Sequence, residues 1–307
     1  MTRLLRWGRS AYETDDSLAL EQRALSEFGV VMLRHEGTEP PLDEVEVLVV
    51  TSGVQVDASV LETAQNLRLV VTTTSGYDHI DVGAARARDI LVARCPVARA
   101  DAVVDSSVGM GLALIRDLPD LHRQAAAGIW ARGELPARAL GTVRGLGVGI
   151  VGLGVIGTRA AKVWKALGAE VVVCDPARPA TVSFEELVAS SDLITLHCSL
   201  NETSRNLVDA DVLAEMAPGA ILINTARGAC VDVEALMSTT HLGGIGLDVF
   251  PREPWPRLAE LASRPRVLLT PHAAGYHRSL GMAVAGEVTQ AVSAYLEGRP
   301  LEHMVLG

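Results

Sequence analysis

Cysteine is scarce in this chain. Its four copies, Cys95, Cys174, Cys198 and Cys230, include no C-x-x-C pair, so buried free thiols are the expected state. Cys198 follows His197 directly, but neighbours on a strand face opposite sides, which leaves no metal site there. Positive charge is short as well: 27 Lys and Arg against 37 Asp and Glu give a net charge of −10. That balance argues against a nucleic-acid-binding surface, without excluding local basic pockets. Long apolar runs are missing, so no segment reads as a membrane span. The opening Met1-Thr2-Arg3-Leu4-Leu5-Arg6 has too short an apolar part for a signal peptide, and a cytoplasmic location is expected. What remains is a chain of 307 residues, 49% hydrophobic, with the length for two domains and the apolar content for large cores.

The chain is organised around Gly147 to Asp175. Val148 to Val151 suits a buried strand, and Gly152-Leu153-Gly154-Val155-Ile156-Gly157 follows as a G-x-G-x-x-G. A helical stretch comes next, with Val163, Trp164 and Leu167 read as one face and Gly168 as its stop. Val171 to Cys174 reads as a second strand, ending at Asp175. Each glycine has a physical task. Gly152 permits the tight turn, Gly154 lets a pyrophosphate approach the backbone, and Gly157 lets the helix pack close to its strand. Free N–H groups at the helix start, from Val155 and Ile156 onward, point at phosphates. Asp175 stands about 20 residues on, where a carboxylate accepts hydrogen bonds from an adenosine ribose. The expected ligand is NAD, preferred over NADP because a carboxylate repels a 2′-phosphate.

Elsewhere the chain alternates strands and helices. Before the glycine turn, Val30–Leu33, Val47–Val50, Leu69–Thr72 and Ile90–Ala93 read as strands, with helices at Ser17–Phe28 and Ala58–Ala64. No glycine-rich phosphate loop occurs there. Asp101 to Leu118 reads as a long helix entering the second domain, and the stretch to Arg144 as a connecting arm of poor periodicity. After Asp175, Ser183-Phe184-Glu185-Glu186 is a capping box. Strands are expected at Leu193–His197, Ala220–Asn224, Gly244–Asp248 and Val267–Thr270, and a last helix at Gly281–Leu296.

Three stretches stand at strand ends: Ile223-Asn224-Thr225-Ala226-Arg227-Gly228, Gly246 to Pro254, and Leu269-Thr270-Pro271-His272. They supply a cation, carboxylates and an imidazole beside a cofactor fold, at the sheet edge where ligands bind in open α/β proteins.

With the glycine motif, these stretches resemble the D-isomer-specific 2-hydroxyacid dehydrogenase family. Ser75-Gly76-Tyr77-Asp78-His79-Ile80-Asp81 is similar to that family's loop in the substrate domain, and Thr195-Leu196-His197 and Thr203 also fit. The likeness runs from about Leu69 to Pro300. It implies an α/β protein of two doubly wound parallel-sheet domains, a Rossmann NAD-binding domain and a flavodoxin-like substrate domain. The substrate domain is expected at 1–97 plus 276–307, the dinucleotide domain at 98–275, and the active site in the cleft between them. The implied reaction is hydride transfer between NAD(H) and a small 2-oxo or 2-hydroxy acid. His272 would be the acid–base, Glu253 would fix its tautomer and favour its charged form, and Arg227 would hold the substrate carboxylate. Backbone N–H groups near Ser75 and Gly76 would complete that carboxylate site. Asp248 would hold the nicotinamide carboxamide, with carbonyls near Thr225 helping, and His197 and Thr203 would line the cofactor. A homodimer formed through the cofactor domain is implied, with Leu118–Arg144 crossing over.

Departures from the family pattern are local. Ser199 replaces a usual proline, Asp105 a usual glutamate, the stretch Ser238–Gly244 is short, and Tyr276-His277-Arg278 is unusual after the histidine. Formate oxidation on the same fold pairs the histidine with glutamine, where this chain has Glu253. The alternative of another class is an NAD(H)-sensing, corepressor-like dimer, which has no need to keep Arg227, Glu253 and His272 together.

Overall fold

The computed structural model describes residues 1–305. Residues 306 and 307, the end of the segment assigned to the substrate domain, lie outside the described residues. The chain divides into two compact units: Met1–Arg99 with the chain from Tyr276 on, and Ala100–Gly275. Both are α/β units built on parallel sheets.

The first unit holds β1 (Thr2–Trp7), α1 (Asp15–Ser26), β2 (Val30–His35), β3 (Val47–Val50), α2 (Ala58–Thr63), β4 (Leu69–Thr72), α3 (Val82–Ala87) and β5 (Leu91–Arg94). Its sheet order is β2-β1-β3-β4-β5. Strand β1 escaped the sequence reading because Arg3 and Arg6 break its apolar run. Arg6 is nonetheless buried, held by Glu13 at 2.8 Å and Glu21 at 3.2 Å. Side chains alternate as a two-sided parallel sheet requires: Val47 and Val49 enter one core, Leu48 and Val50 the other.

The second unit contains α4 (Ala100–Ile115), α5 (Leu118–Ala126), β6 (Gly147–Val151), α6 (Val155–Ala166), β7 (Glu170–Cys174), α7 (Phe184–Ser190), β8 (Leu193–Leu196), α8 (Ala210–Glu215), β9 (Ile221–Asn224), α9 (Val233–Ser238), β10 (Gly244–Leu247), α10 (Leu258–Ala262) and β11 (Val267–Leu269). The chain then returns to the first unit with α11 (Leu280–Leu296), which packs on α1 and the sheet through Leu280, Val284, Val288 and Val292. The second sheet runs β11-β10-β9-β8-β6-β7.

Two local readings are corrected. Helix α6 buries Gly157, Ala160, Ala161 and Trp164, while Val163 and Leu167 are 37% and 42% exposed. The inward stripe follows the small residues, because they let α6 lie close to the sheet and to α4, where the Trp164 ring fills the space beside Gly111. Burying a side chain of this size contributes about 1.5–3 kcal/mol. The stretch read as an aperiodic arm contains α5, and the long helix before it stops at Ile115 because Asp117 turns to φ +51.

Candidate active site

The glycine turn has the geometry its spacing implies. Gly152 sits at φ +90, and a Cβ there would lie 2.7 Å from the backbone of Cys198. A Cβ on Gly157 would stand 1.9 Å from the Gly152 carbonyl oxygen, so helix and turn touch backbone to backbone. Gly154, the residue before α6, faces open space. The N-terminus of α6 carries no side-chain cap and no acid in its first turn, so the N–H groups from Val155 and Ile156 on and the positive helix end are left for an anion. Asp175 closes β7 and braces the turn: its carboxylate accepts from Leu153 N–H at 2.6 Å and from Ala177 N–H at 2.9 Å. Two orphaned polar atoms lie at neighbouring strand ends, His197 Nδ1 after β8 and Thr225 Oγ1 after β9. Burial lowers the His197 pKa to about 4, and its Nε2 meets Thr195 Oγ1 at 3.1 Å. Thr203 is exposed, and its hydroxyl donates to Asn201 Oδ1 at 2.8 Å. An open cradle, an uncapped helix start and unpartnered polar atoms fit a dinucleotide.

The loops after β9, β10 and β11 converge. Buried Asn224 ties its loop with both ends of its amide, accepting from Ala226 N–H at 3.0 Å and donating to the Arg227 carbonyl at 2.8 Å. Gly228 then meets the Phe250 backbone so closely that a Cβ would stand 1.9 Å from the Phe250 carbonyl carbon. That contact brings Arg227 beside the loop carrying Glu253. Glu253 accepts from Phe250 N–H at 3.0 Å with one oxygen, and its other oxygen lies 2.7 Å from His272 Nδ1. Burial raises the Glu253 pKa, but the hydrogen bonds from His272 and Phe250 and the charges of His272 and Arg227 outweigh it. The carboxyl is therefore held below its usual range.

Asp248 has structural partners of its own within the loop cluster. It is buried, and its carboxylate accepts from Thr270 Oγ1 at 2.6 Å, Ala273 N–H at 2.7 Å and Ala274 N–H at 3.0 Å. Its carbonyl accepts from His272 N–H at 2.7 Å. The knot holds His272 at φ +53, a backbone state that a histidine adopts only when its surroundings impose it. Thr270, Asn224 and Gly228 stand in the strand-end stretches quoted from sequence, but none was given a role of its own there. The signal available for each was its place at a strand end, and the partner is supplied by the fold.

In the first unit, Ser75 and Gly76 follow β4. Arg94 donates to the Ser75 carbonyl at 3.1 Å, Thr74 donates to that of Gly76 at 2.8 Å, and the buried Ser75 hydroxyl has no hydrogen-bond partner. His79 is buried with its ring 3.0 Å from Thr72 Oγ1, and Asp81 caps α3. No cluster of metal-ligating side chains occurs among the described residues, and no helix among them is long and apolar enough to cross a membrane.

Residues 108–274 match the family model described as "D-isomer specific 2-hydroxyacid dehydrogenase, NAD binding domain". A hydroxypyruvate reductase of Thermotoga maritima is 35% identical over 242 residues, 75% of this chain and 78% of that one. A D-3-phosphoglycerate dehydrogenase of Mycobacterium leprae is 33% identical over 267 residues, covering 83% of this chain and 50% of that one, so this chain spans about half its length. The crystal structure of a glyoxylate reductase from Paecilomyes thermophila superposes with a TM-score of 0.84 at 25% identity, over 99% of this chain and 98% of that one.

Proposed function

The chain belongs to the D-isomer-specific 2-hydroxyacid dehydrogenase family, and on that premise we propose how its own residues divide an NAD-dependent oxidoreduction of a small 2-hydroxy or 2-oxo acid. When bound, NAD(H) supplies or takes up the hydride at C2 of the acid. Gly152, Gly154, Val155, Ile156 and Gly157 hold its pyrophosphate, and Asp175 its adenosine ribose. His197, Thr203 and Thr225 line the rest, and the remaining lone pair of Asp248 takes the carboxamide. Arg227 grips the acid's carboxylate and 2-oxygen with its planar fork, and Ser75 and Gly76 keep the substrate-binding assignment that the family likeness gives them.

The single observation that carries this reading is the 2.7 Å contact of His272 Nδ1 with Glu253, beside the charge of Arg227. A carboxylate on Nδ1 keeps the proton there and leaves Nε2 to serve the substrate's 2-oxygen. In reduction Nε2 delivers a proton to that oxygen, and in oxidation it removes one. Glu253 stabilises the imidazolium and holds the ring plane.

The relatives' names point to glyoxylate and hydroxypyruvate as acids to try first. The substrate domain is assigned to 1–97 with 276–307, the cofactor domain to 98–275, and the protein to the cytoplasm. A homodimer through the cofactor domain is supported by apolar side chains left exposed there: Leu118 and Ile129 at 52% and Trp130 at 84%. NADH absorbance followed against glyoxylate, hydroxypyruvate, pyruvate and bulkier 2-oxo acids tests the reading. Consumption with at least one acid is expected. NADH binding with no turnover on any of them would return the chain to the NAD(H)-sensing alternative.

A further inference from the structure

Two of the four cysteines meet although 32 positions separate them. Cys198 Sγ and Cys230 Sγ lie 4.0 Å apart. Cys198, half-buried, follows β8 and backs onto Gly152 of the glycine turn. Cys230 is fully buried, three residues beyond Arg227. Its N–H donates to the Arg227 carbonyl at 3.1 Å, and its own carbonyl accepts from Val208 N–H at 3.0 Å. The pair thus joins the turn assigned to the cofactor and the loop assigned to the substrate. A disulfide has its sulfurs about 2.05 Å apart, so closure needs an approach of roughly 2 Å.

We propose that Cys198 and Cys230 form an oxidisable dithiol that closes to a disulfide with hydrogen peroxide, and that closure displaces Arg227 and stops oxo-acid reduction. The S–H of Cys198 stabilises the Cys230 thiolate against its burial, with help from the Arg227 guanidinium, so Cys230 is lowered and Cys198 raised. Cys230, as thiolate, attacks one peroxide oxygen: an S–O bond forms, the O–O bond breaks, and hydroxide leaves and is protonated to water. Cys198 then attacks the sulfenic sulfur: the S–S bond forms, the S–O bond breaks, and a second water leaves with the Cys198 proton. Two thiols are oxidised to one disulfide and one peroxide is reduced to two waters. The Cys230 N–H is hydrogen-bonded to the Arg227 carbonyl, so movement of Cys230 toward Cys198 carries Arg227 with it.

The dithiol rests on geometry alone, while its effect on turnover rests on the role proposed for Arg227. Native protein is treated with hydrogen peroxide, the remaining thiols are alkylated, and the digest is mapped by mass spectrometry without reduction. NADH oxidation with the preferred 2-oxo acid is assayed on the same sample before and after dithiothreitol. The expected result is a Cys198–Cys230 cross-linked peptide and a loss of kcat/KM of at least about tenfold that dithiothreitol reverses. Cys198→Ser and Cys230→Ser should keep their activity under peroxide, while Cys95→Ser should lose it as the wild type does. Absence of the cross-linked peptide overturns the dithiol, and the wild-type map reads this without any variant. A cross-link with unchanged turnover overturns the control of Arg227. Reduced enzyme that turns over no 2-oxo acid is a failure of the functional reading, and the peptide map still reports on the pair.

Discussion

The two sheets begin with the same winding. β2-β1-β3-β4-β5 in the first unit and β7-β6-β8-β9-β10 in the second each reverse direction between the first and third strands. Open α/β sheets bind ligands at that reversal, yet the two units treat it differently. In the second, only Gly152 to Gly154 separate β6 from α6, and the helix start is left without cap or acid. In the first, Gly8 to Thr14 intervene, Thr14 and Ser17 close a capping box, and Asp15 and Asp16 occupy the first turn. Those acids satisfy the helix's positive end and repel an anion. Arg6, Glu13 and Glu21 are buried in the same unit, with Arg6 within 3.2 Å of both carboxyl groups. One topology therefore carries an open anion cradle in one unit and a self-satisfied core in the other, and a few residues after the first strand decide which.

The largest expected effect tests that contrast by adding one methyl group to each turn. Gly157→Ala places a Cβ 1.9 Å from the Gly152 carbonyl oxygen. Fluorescence titration should show NADH affinity falling by at least about a hundredfold, some 2.7 kcal/mol. Gly8→Ala is strained too, with φ +81 and a Cβ 2.8 Å from Val54 Cγ2. It should lower the thermal midpoint and leave NADH affinity within about twofold. Equal losses of NADH binding in both variants would erase the contrast.

Arg227→Lys comes next in size. Lysine keeps the charge and loses the fork, so kcat/KM for the 2-oxo acid should fall by about 10- to 100-fold through both KM and kcat. NADH affinity, read in the same titration, should stay as in the wild type. Wild-type kinetics would mean that another cation holds the acid.

The smallest effect is on stability and runs with opposite sign in the two units. Burial lowers His197 from 6.5 to about 4, so between those values the unfolded chain binds the extra proton and stability rises with pH. Burial, opposed by Arg6, raises Glu21 from 4.5 to about 7, so the folded chain binds the extra proton and stability falls as pH rises through that range. Each group accounts for about 1–3 kcal/mol. Thermal midpoints measured from pH 4.5 to 7 should show His197→Asn gaining on the wild type at the acid end and Glu21→Gln gaining at the neutral end. Parallel curves for either variant would mean that its group does not titrate on unfolding.

Much of the site could be read from sequence because its parts are local. The glycine turn, the strand before it and Asp175 lie within one βαβ segment, where spacing fixes geometry. Arg227, Glu253 and His272 were reached through their strand ends and a family likeness, and the fold brings them together. What escaped depended on distant partners. β1 was hidden because its Arg6 finds Glu13 and Glu21 only in the folded core. The donors to Asp248 escaped because nothing near it in sequence announces Thr270, Ala273 and Ala274 as its partners. On α6, Val163 and Leu167 read as sharing a face with Trp164, whereas the buried stripe joins Trp164 to Gly157, Ala160 and Ala161.

The central claim is that the second unit separates holding the cofactor, at the glycine turn, from proton transfer, at His272 with Glu253. His272→Ala tests it most directly, with NADH affinity and NADH oxidation by the preferred 2-oxo acid measured on one preparation. The account predicts NADH affinity within about twofold of wild type and turnover reduced by at least about a hundredfold. Near-normal turnover would contradict it, and so would loss of NADH binding together with activity.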